Sequence, residues 1–513
     1  MDGEHSSRST GGGAVGDRFA EYRAARRELE RAILPLATSV DGRSFQFQAS
    51  LYGLALRAGG YVVLDDGGGS RLGQILTVGL RQMDPGHLDA GDPAAPRPAV
   101  RAATGGGAVL DGDFRPFHEA SVRPAEPVDV RKWLETIRPG RATLEIGELL
   151  HAPGVPAILD SGGFDRHTFL CGQSGSGKTY ALGLVIERLL METGLRMVIL
   201  DPNSDFVRLH ETRAGVERAV AERYARAAGD LSLWRAEAAG EATGEQPIRL
   251  AFAELSPAAQ AAILHLDPIN DRAEYAALSA ILEAQEAGRP LITGLDELLS
   301  SVLSGAHELG LRAANLGVLD WSIWSRGRGG SLPRELDRAD ARCVVIDLGS
   351  LDTLREQRVV AEATLSTLWQ RRARREPILI VIDEAHNICP ARPNDSVTAL
   401  AAEHAVRIAA EGRKYGLYLL VSTQRPQKVQ ENVVSQCDNL LLMRMNSTAD
   451  LEFVRSVFSF VPAGLLDRAT SFRQGESLVA GKISSHAAHV RFGARVAEEG
   501  GADVPSSWAA RRS

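Results

Sequence analysis

Residues 168–180 read TFLCGQSGSGKTY, and the interpretation of the whole chain starts there. Thr168 to Cys171 is a short apolar run with the look of a buried strand, and a helical pattern runs from Tyr180 to Met191. Between them, Gly172, Gln173, Ser174, Gly175, Ser176, Gly177, Lys178 and Thr179 fill G-x-x-x-x-G-K-[ST]. In a strand–turn–helix context this spacing makes a phosphate cradle: glycines let backbone N–H groups wrap the anion, and the helix N-terminus favours negative charge. Lys178 is expected at the terminal phosphates of ATP, Thr179 at a Mg²⁺ ion, and Tyr180 closes the nucleotide-binding stretch. A glycine-rich turn without a ligand would explain the letters but not both flanking elements.

A second run, ILIVIDEAH at 378–386, reads as a buried strand that delivers Asp383 and Glu384 to its C-terminal end, where open α/β sheets place their ligands. Asp383 is suited to the magnesium shell and Glu384 to orienting and polarising an attacking water. A third run, LYLLVST at 417–423, ends in polar residues, and from beside the other strands Gln424 would reach the γ-phosphate as a sensor; the alternative is a turn-capping side chain. Arg413 and Lys414 precede that strand. Arg413 can serve a neighbouring subunit's phosphates in trans, or simply belong to a solvated basic face.

Further apolar runs, RMVILD, CVVIDLG and NLLLMRM, alternate with helical stretches from Thr168 on, which predicts a doubly wound α/β sheet over 146–208 and 341–495. The Ala/Leu/Glu-rich segment 209–340 is expected to be a helical insertion. Upstream, FQFQAS, GYVVLD and GQILTVGL, separated by glycine turns, predict a small β-barrel over 35–145 with a Pro/Gly-rich loop from about Pro85 to Gly107. Residues 17–34 have helical spacing, 1–16 are expected to be disordered, and 496–513 to form a C-terminal tail.

At 513 residues and 44% hydrophobic, the chain can form several ordinary globular domains. No apolar run approaches the roughly eighteen residues a membrane span needs, and the first residues lack the basic-then-apolar order of a signal peptide, so a cytoplasmic protein without a membrane partner is expected. Cys171, Cys343, Cys389 and Cys437 lie far apart, which argues for buried thiols rather than a disulfide framework or a zinc site. The net charge of −7 provides no global basic footprint, so any nucleic-acid contact must come from local Lys and Arg.

Taken together, IGELLHAPGVPAILD, RHTFLCGQSGSGKTY, LDPNSDF, VIDLGSL, VIDEAHNICP, RIAAEGRKYG, STQRP and NVVSQCDNLLLMR resemble the HerA branch of the FtsK-HerA superfamily of hexameric DNA-translocating ATPases. The resemblance implies an α/β fold: a RecA-like P-loop NTPase core with a helical insertion, preceded by a small N-terminal β-barrel. It also implies Gln424 as a polar sensor, Arg413 of EGRK as an arginine finger, and Arg166 of RH as a second arginine at the subunit boundary. Asp201 and Asp205 match the D-P-x-x-E/D motif, although DPNSDF has Asp205 for Glu and Phe206 for Tyr, which puts the role of that loop in doubt. The implied cofactors are ATP and Mg²⁺. The implied partners are double-stranded DNA, five further copies of the chain, and a NurA-like nuclease or an antiphage effector.

For DNA, the loops around Arg326, Arg328, Arg334 and Arg392 keep backbone exposed near arginines, although solvated loop arginines are the commoner outcome. RRARR at 371–375 closes a helix, where cations suit its C-terminus, and is read as structural. DEAH at 383–386 does not signal a two-domain helicase, because the chain shows neither the second RecA-like domain nor the Q-R-x-G-R-x-G-R arginine motif of such helicases, and His386 is read as structural. The competing functional reading is an ATP-gated ring scaffold that does not translocate. A membrane-anchored DNA pump is disfavoured by the lack of an apolar span.

Overall fold

The computed structural model describes residues 12–83, 100–112, 114–137, 142–236, 245–287, 295–296, 305–325, 331–338 and 341–501. They fall into two units, the first built from the residues up to 137 with Leu149–Val155 and Pro462–Arg468, the second from the remainder.

The first unit opens with a helix, Gly12–Arg31. It begins five residues earlier than the glycine-rich composition suggests, because glycine weakens a helix by about 1 kcal/mol a residue without forbidding it; residues 1–11 lie outside the described ones. Six strands follow, β1 (Leu36–Ser39), β2 (Ser44–Ala49), β3 (Tyr61–Asp65), β4 (Ser70–Met83), β5 (Val100–Val109) and β6 (Phe117–Pro124), closed into a barrel in the order β1-β2-β5-β4-β3-β6. The alternation of SFQFQA puts Phe45, Phe47 and Ala49 inside, against Val62, Leu64, Ile75, Phe117 and Val122. Closure leaves no free sheet edge.

β5 corrects the expectation of a loop reaching to Gly107. Phe45 stands opposite Gly107 and Phe47 opposite Gly105, and a Cβ at Gly107 would lie 2.2 Å from the Phe45 ring and one at Gly105 2.7 Å from that of Phe47. The glycines are strand residues that make room for aromatic rings and for the backbone of β4, whose Thr77 O would lie 2.0 Å from a Cβ at Gly105. The barrel also ends earlier than 145: after β6 comes a helix, Pro127–Thr136, and the next strand, β7 (Thr143–Leu149), pairs with β8 (Pro156–Asp160) in the second unit's sheet.

Among the described residues that sheet has twelve strands. The remaining ten are β9 (His167–Cys171), β10 (Arg196–Asp201), β11 (Leu231–Arg235), β12 (Glu245–Pro247), β13 (Cys343–Asp347), β14 (Ile378–Ile382), β15 (Leu417–Thr423), β16 (Cys437–Met443), β17 (Glu476–Gly481) and β18 (Ala488–Phe492), in the order β12-β11-β13-β10-β14-β15-β9-β16-β17-β18-β7-β8. β9, β13 and β14 are buried at every residue, and the pairs from β12 across to β16 are parallel, as expected for strands covered by helices on both faces. All four cysteines are buried and free.

Two further expectations are corrected here. Segment 209–340 is not wholly helical: β11 and β12 extend the parallel sheet beyond β13, and at five and three residues they are too short to stand out against Ala-rich surroundings. Residues 496 onward are not all tail. Val496 and Ala497 donate their N–H groups to the buried Glu187 carboxylate at 2.8–3.1 Å, and Val496 O accepts from Arg213 N.

Candidate nucleotide site

Parallel strands share one direction, so the C-terminal ends of β9, β10, β14 and β15 lie along one edge of the sheet. β9 runs into the glycine-rich loop, and the helix Lys178–Glu192 starts at Lys178. Gly175 and Gly177 have φ of +71° and +92°, which favours glycine, and a Cβ on Gly172 would lie 2.7 Å from Met443 Cβ. The first intrahelical bond is Ala181 N to Gly177 O, so the N–H groups of Lys178, Thr179 and Tyr180 face an incoming anion at the helix N-terminus. The Tyr180 hydroxyl itself turns to the C-terminal segment, donating to Gly493 O and accepting from Arg495 N. Only its backbone is offered to a nucleotide.

β14, separated from β9 by β15, brings the loop's counterpart. Lys178 Nζ sits 2.8 Å from Asp383 Oδ1, 3.1 Å from Glu384 Oε1 and 3.1 Å from Ser422 Oγ. Gln424 Nε2 donates to Glu384 Oε1 at 2.8 Å, and His386 Nδ1 lies 3.2 Å from Glu384 Oε2. Burial would strip the charge from Lys178, but Asp383 and Glu384 hold its pKa above the usual value. Burial also pushes Glu384 up, yet His386, Lys178 and Gln424 outweigh it and hold the carboxyl at about 2. Glu384 is therefore an anion with fixed orientation, on a backbone at φ +42°.

Sequence reasoning placed Lys178, Asp383, Glu384 and Gln424 at one edge, and the structure brings them into contact. It adds His386 and Ser422, and draws in Asp205, which the sequence had already singled out. His386, expected to be structural, touches Glu384, and its only sequence signal was its position two residues on. Ser422 anchors Lys178. Asp205 joins the carboxylates: burial and the nearby Asp383 raise its pKa to about 6, with Lys178 opposing. Asp201 holds that loop by accepting from Asn203, Asp205 and Phe206 N–H groups, and burial pushes it up to about 8.

The two candidate trans arginines lie elsewhere. Arg166 immediately precedes β9, and Arg413 precedes β15 in the turn Gly412–Tyr415, so both stand at the N-terminal strand ends, roughly 15 Å of strand away from the loop. Both reach Asp438 Oδ2, Arg413 Nη1 at 3.1 Å and Arg166 Nε at 3.5 Å. Of the candidate DNA contacts, Arg326 and Arg328 lie outside the described residues. Arg334 pairs with Glu254, while Arg392 is exposed. Arg371 and Arg374 bind the Asp337 carbonyl, in keeping with a structural role.

The site suits a nucleotide with a hard cation. Asp383 Oδ2 and Ser176 Oγ are buried without a hydrogen-bond partner, a costly state unless a ligand completes them, and Thr179 adds a hydroxyl oxygen on the first helical turn.

A family model for the central domain of helicase HerA matches residues 144–308. The chain is 24% identical over 406 residues to the DNA double-strand break repair helicase HerA of Pyrococcus furiosus, covering 69% of this chain and 70% of that protein. It is 31% identical over 147 residues to the protein of the same name from Sulfurisphaera tokodaii, covering 27% of this chain and 29% of that one, so this match spans under a third of that relative's length. Among solved structures, VirB4 of Thermoanaerobacter pseudethanolicus aligns at TM-score 0.48 and 20% identity over 70% of this chain and 98% of its own. The bacterial conjugative coupling protein TrwB aligns at 0.45 and 12% identity, over 73% and 93%.

Proposed function

We propose that this chain, which belongs to the HerA-type ATPases of the FtsK-HerA superfamily, is one subunit of a homohexameric ring that couples ATP hydrolysis to movement along double-stranded DNA. One observation carries the reading. The groups for hydrolysis and the two arginines sit at opposite ends of the same strands, so a protomer cannot bring its own arginines to its own nucleotide, whereas a ring of copies stacked edge to edge can.

In this reading the phosphates of ATP enter the loop and draw Lys178 away from Asp383 and Glu384. Glu384, released from Lys178 but still held by Gln424 and close to His386, orients a water and accepts its proton as the water attacks the γ-phosphorus, and the bond from that phosphorus to the bridging oxygen breaks to leave ADP and phosphate. Gln424 reports whether the γ-phosphate is present through its bond to Glu384. Thr179 and Asp383 would hold Mg²⁺, which supplies charge neutralisation at the phosphate oxygens when bound. Arg413 and Arg166 of the neighbouring subunit stabilise charge on the transferred phosphoryl group, an effect worth about 10³ to 10⁵ in rate for such arginines.

Contact with DNA falls to exposed arginines such as Arg392 and uses the phosphate backbone, without a recognition sequence. The barrel and the N-terminal helix are the docking surfaces for a partner, a nuclease of the NurA kind or an antiphage effector. The competing reading is a ring that scaffolds such an effector without moving on DNA.

The test is ATP hydrolysis with and without linear duplex DNA across a salt series, with Glu384→Gln as control. The motor predicts DNA stimulation that salt abolishes, and a fall of about 10²-fold or more in the variant. Hydrolysis indifferent to DNA would favour the scaffold.

A further inference from the structure

Asp438 is held in place by more than its strand. The register of β16 against β9 passes from Cys437 opposite His167 to Asn439 opposite Thr168, so Asp438 is the extra residue of a β-bulge, a feature that re-aims a side chain. The bulge is fastened on both sides. Asn439, fully buried, donates to Gly163 O at 2.9 Å and Thr168 Oγ1 at 3.0 Å and accepts from Ile483 N at 3.1 Å. On the other flank, Gly481 at φ +107° lets β17 approach so closely that a Cβ there would lie 2.1 Å from Asp438 O.

The re-aimed carboxylate meets both arginines with a single oxygen, Oδ2. Without it, Arg413 would lose this carboxylate partner and Arg166 would keep only the more distant Asp165 at 3.9 Å. Each commits only part of its planar donor set: Arg413 uses Nη1, and Arg166 uses Nε, which also lies 3.9 Å from Asp165 Oδ1. All three side chains are between about a third and under half exposed, at 34%, 43% and 42% for Arg166, Arg413 and Asp438. An ion pair that exposed contributes little to stability, so a fastened bulge is better explained by orientation than by folding.

We propose that Asp438 is a positioning residue that holds Arg413 and Arg166 together, neutralised and aimed, for the phosphates of the adjacent subunit's nucleotide. The inference rests on the trans-arginine reading above. It assigns Asp438 no contact with ATP.

The experiment is steady-state ATP hydrolysis by the full chain with duplex DNA, comparing wild type, Asp438→Ala, Asp438→Asn, Asp438→Glu, Arg413→Ala and the double variant Asp438→Ala/Arg413→Ala, with thermal melting and oligomeric state followed in parallel. Misaimed arginines should lower kcat of Asp438→Ala by about 10- to 100-fold with KM for ATP unchanged, and Asp438→Glu should recover part of the loss. Asp438→Asn keeps the shape but not the charge and should resemble Asp438→Ala. In the Arg413→Ala background the further loss should shrink to that carried by Arg166 alone. Wild-type kcat in Asp438→Ala, or the same fold-loss with and without Arg413, would overturn the proposal. Wild-type kcat in Arg413→Ala would instead remove the trans-arginine reading beneath it, and the single variants tell the two failures apart.

Discussion

Glu384 is held at Oε1 by Lys178 and Gln424, has His386 Nδ1 3.2 Å from Oε2, and sits on a backbone at φ +42°, a conformation that costs on the order of 1–3 kcal/mol for a residue other than glycine. His386 is the least expected of its partners, and it makes a testable claim. Since His386 helps to hold the Glu384 carboxyl at about 2 against burial, His386→Ala should raise that value. The acid limb of the kcat profile, where Glu384 takes up a proton, should then move to higher pH. A limb that stays in place would mean that His386 only packs there.

His167 lies fully buried, accepting from Leu419 N at 2.9 Å through Nδ1 and facing Ala409 O at 3.0 Å through Nε2. Burial holds its pKa at about 4, below the ordinary 6.5, and Arg413 and Arg166 add to this against Asp438. The fold therefore favours the neutral ring. Its contribution is complete above pH 6.5 and is lost as pH falls toward 4, at about 1.4 kcal/mol per pH unit, or about 3 kcal/mol in all. Asp201 and Asp205 slope the opposite way, so the check is a difference: wild type minus His167→Gln, by urea unfolding at pH 7 and pH 5, should shrink at the lower pH.

At the scale of elements, β5 shows why the barrel was only partly legible. β2 could be read because polar and apolar residues alternate in SFQFQA, whereas three consecutive glycines in β5 look like a loop until Phe45 and Phe47 are seen lying over them. Gly107→Ala should destabilise the barrel by about 1–3 kcal/mol, read by thermal unfolding, because the Phe45 ring and the Gln74 carbonyl, 2.4 Å from the added Cβ, both have to give way. The motifs of the nucleotide site were legible for the opposite reason: each is contiguous, and each sits at the end of a long apolar strand. Asp205 and Ser422 were harder because their roles depend on strands that become neighbours only in the sheet. β11 and β12 left no signal strong enough to compete with the helices around them.

The whole molecule makes one prediction that neither residue nor element can. If each site is completed by a neighbour's arginines, Glu384→Gln and Arg413→Ala subunits, each strongly impaired alone, should regain hydrolysis when mixed and reassembled. Some junctions would then pair an intact Glu384 with an intact Arg413. No recovery, in rings shown to be mixed, would count against catalysis shared across subunits.

The sheet order has a consequence for how the chain acquires this fold. β7, among the first strands of its unit, is joined to β18, the last, and Gly493 N donates to Ile146 O at 2.8 Å across nearly 350 residues of chain. The seam can close only after almost the whole second unit has been synthesised. Such distant pairing makes folding slow, and until β18 arrives, β7 and β8 have an open edge that can pair with another unfinished chain. Expression slow enough to let each chain close its own seam should therefore raise the soluble yield.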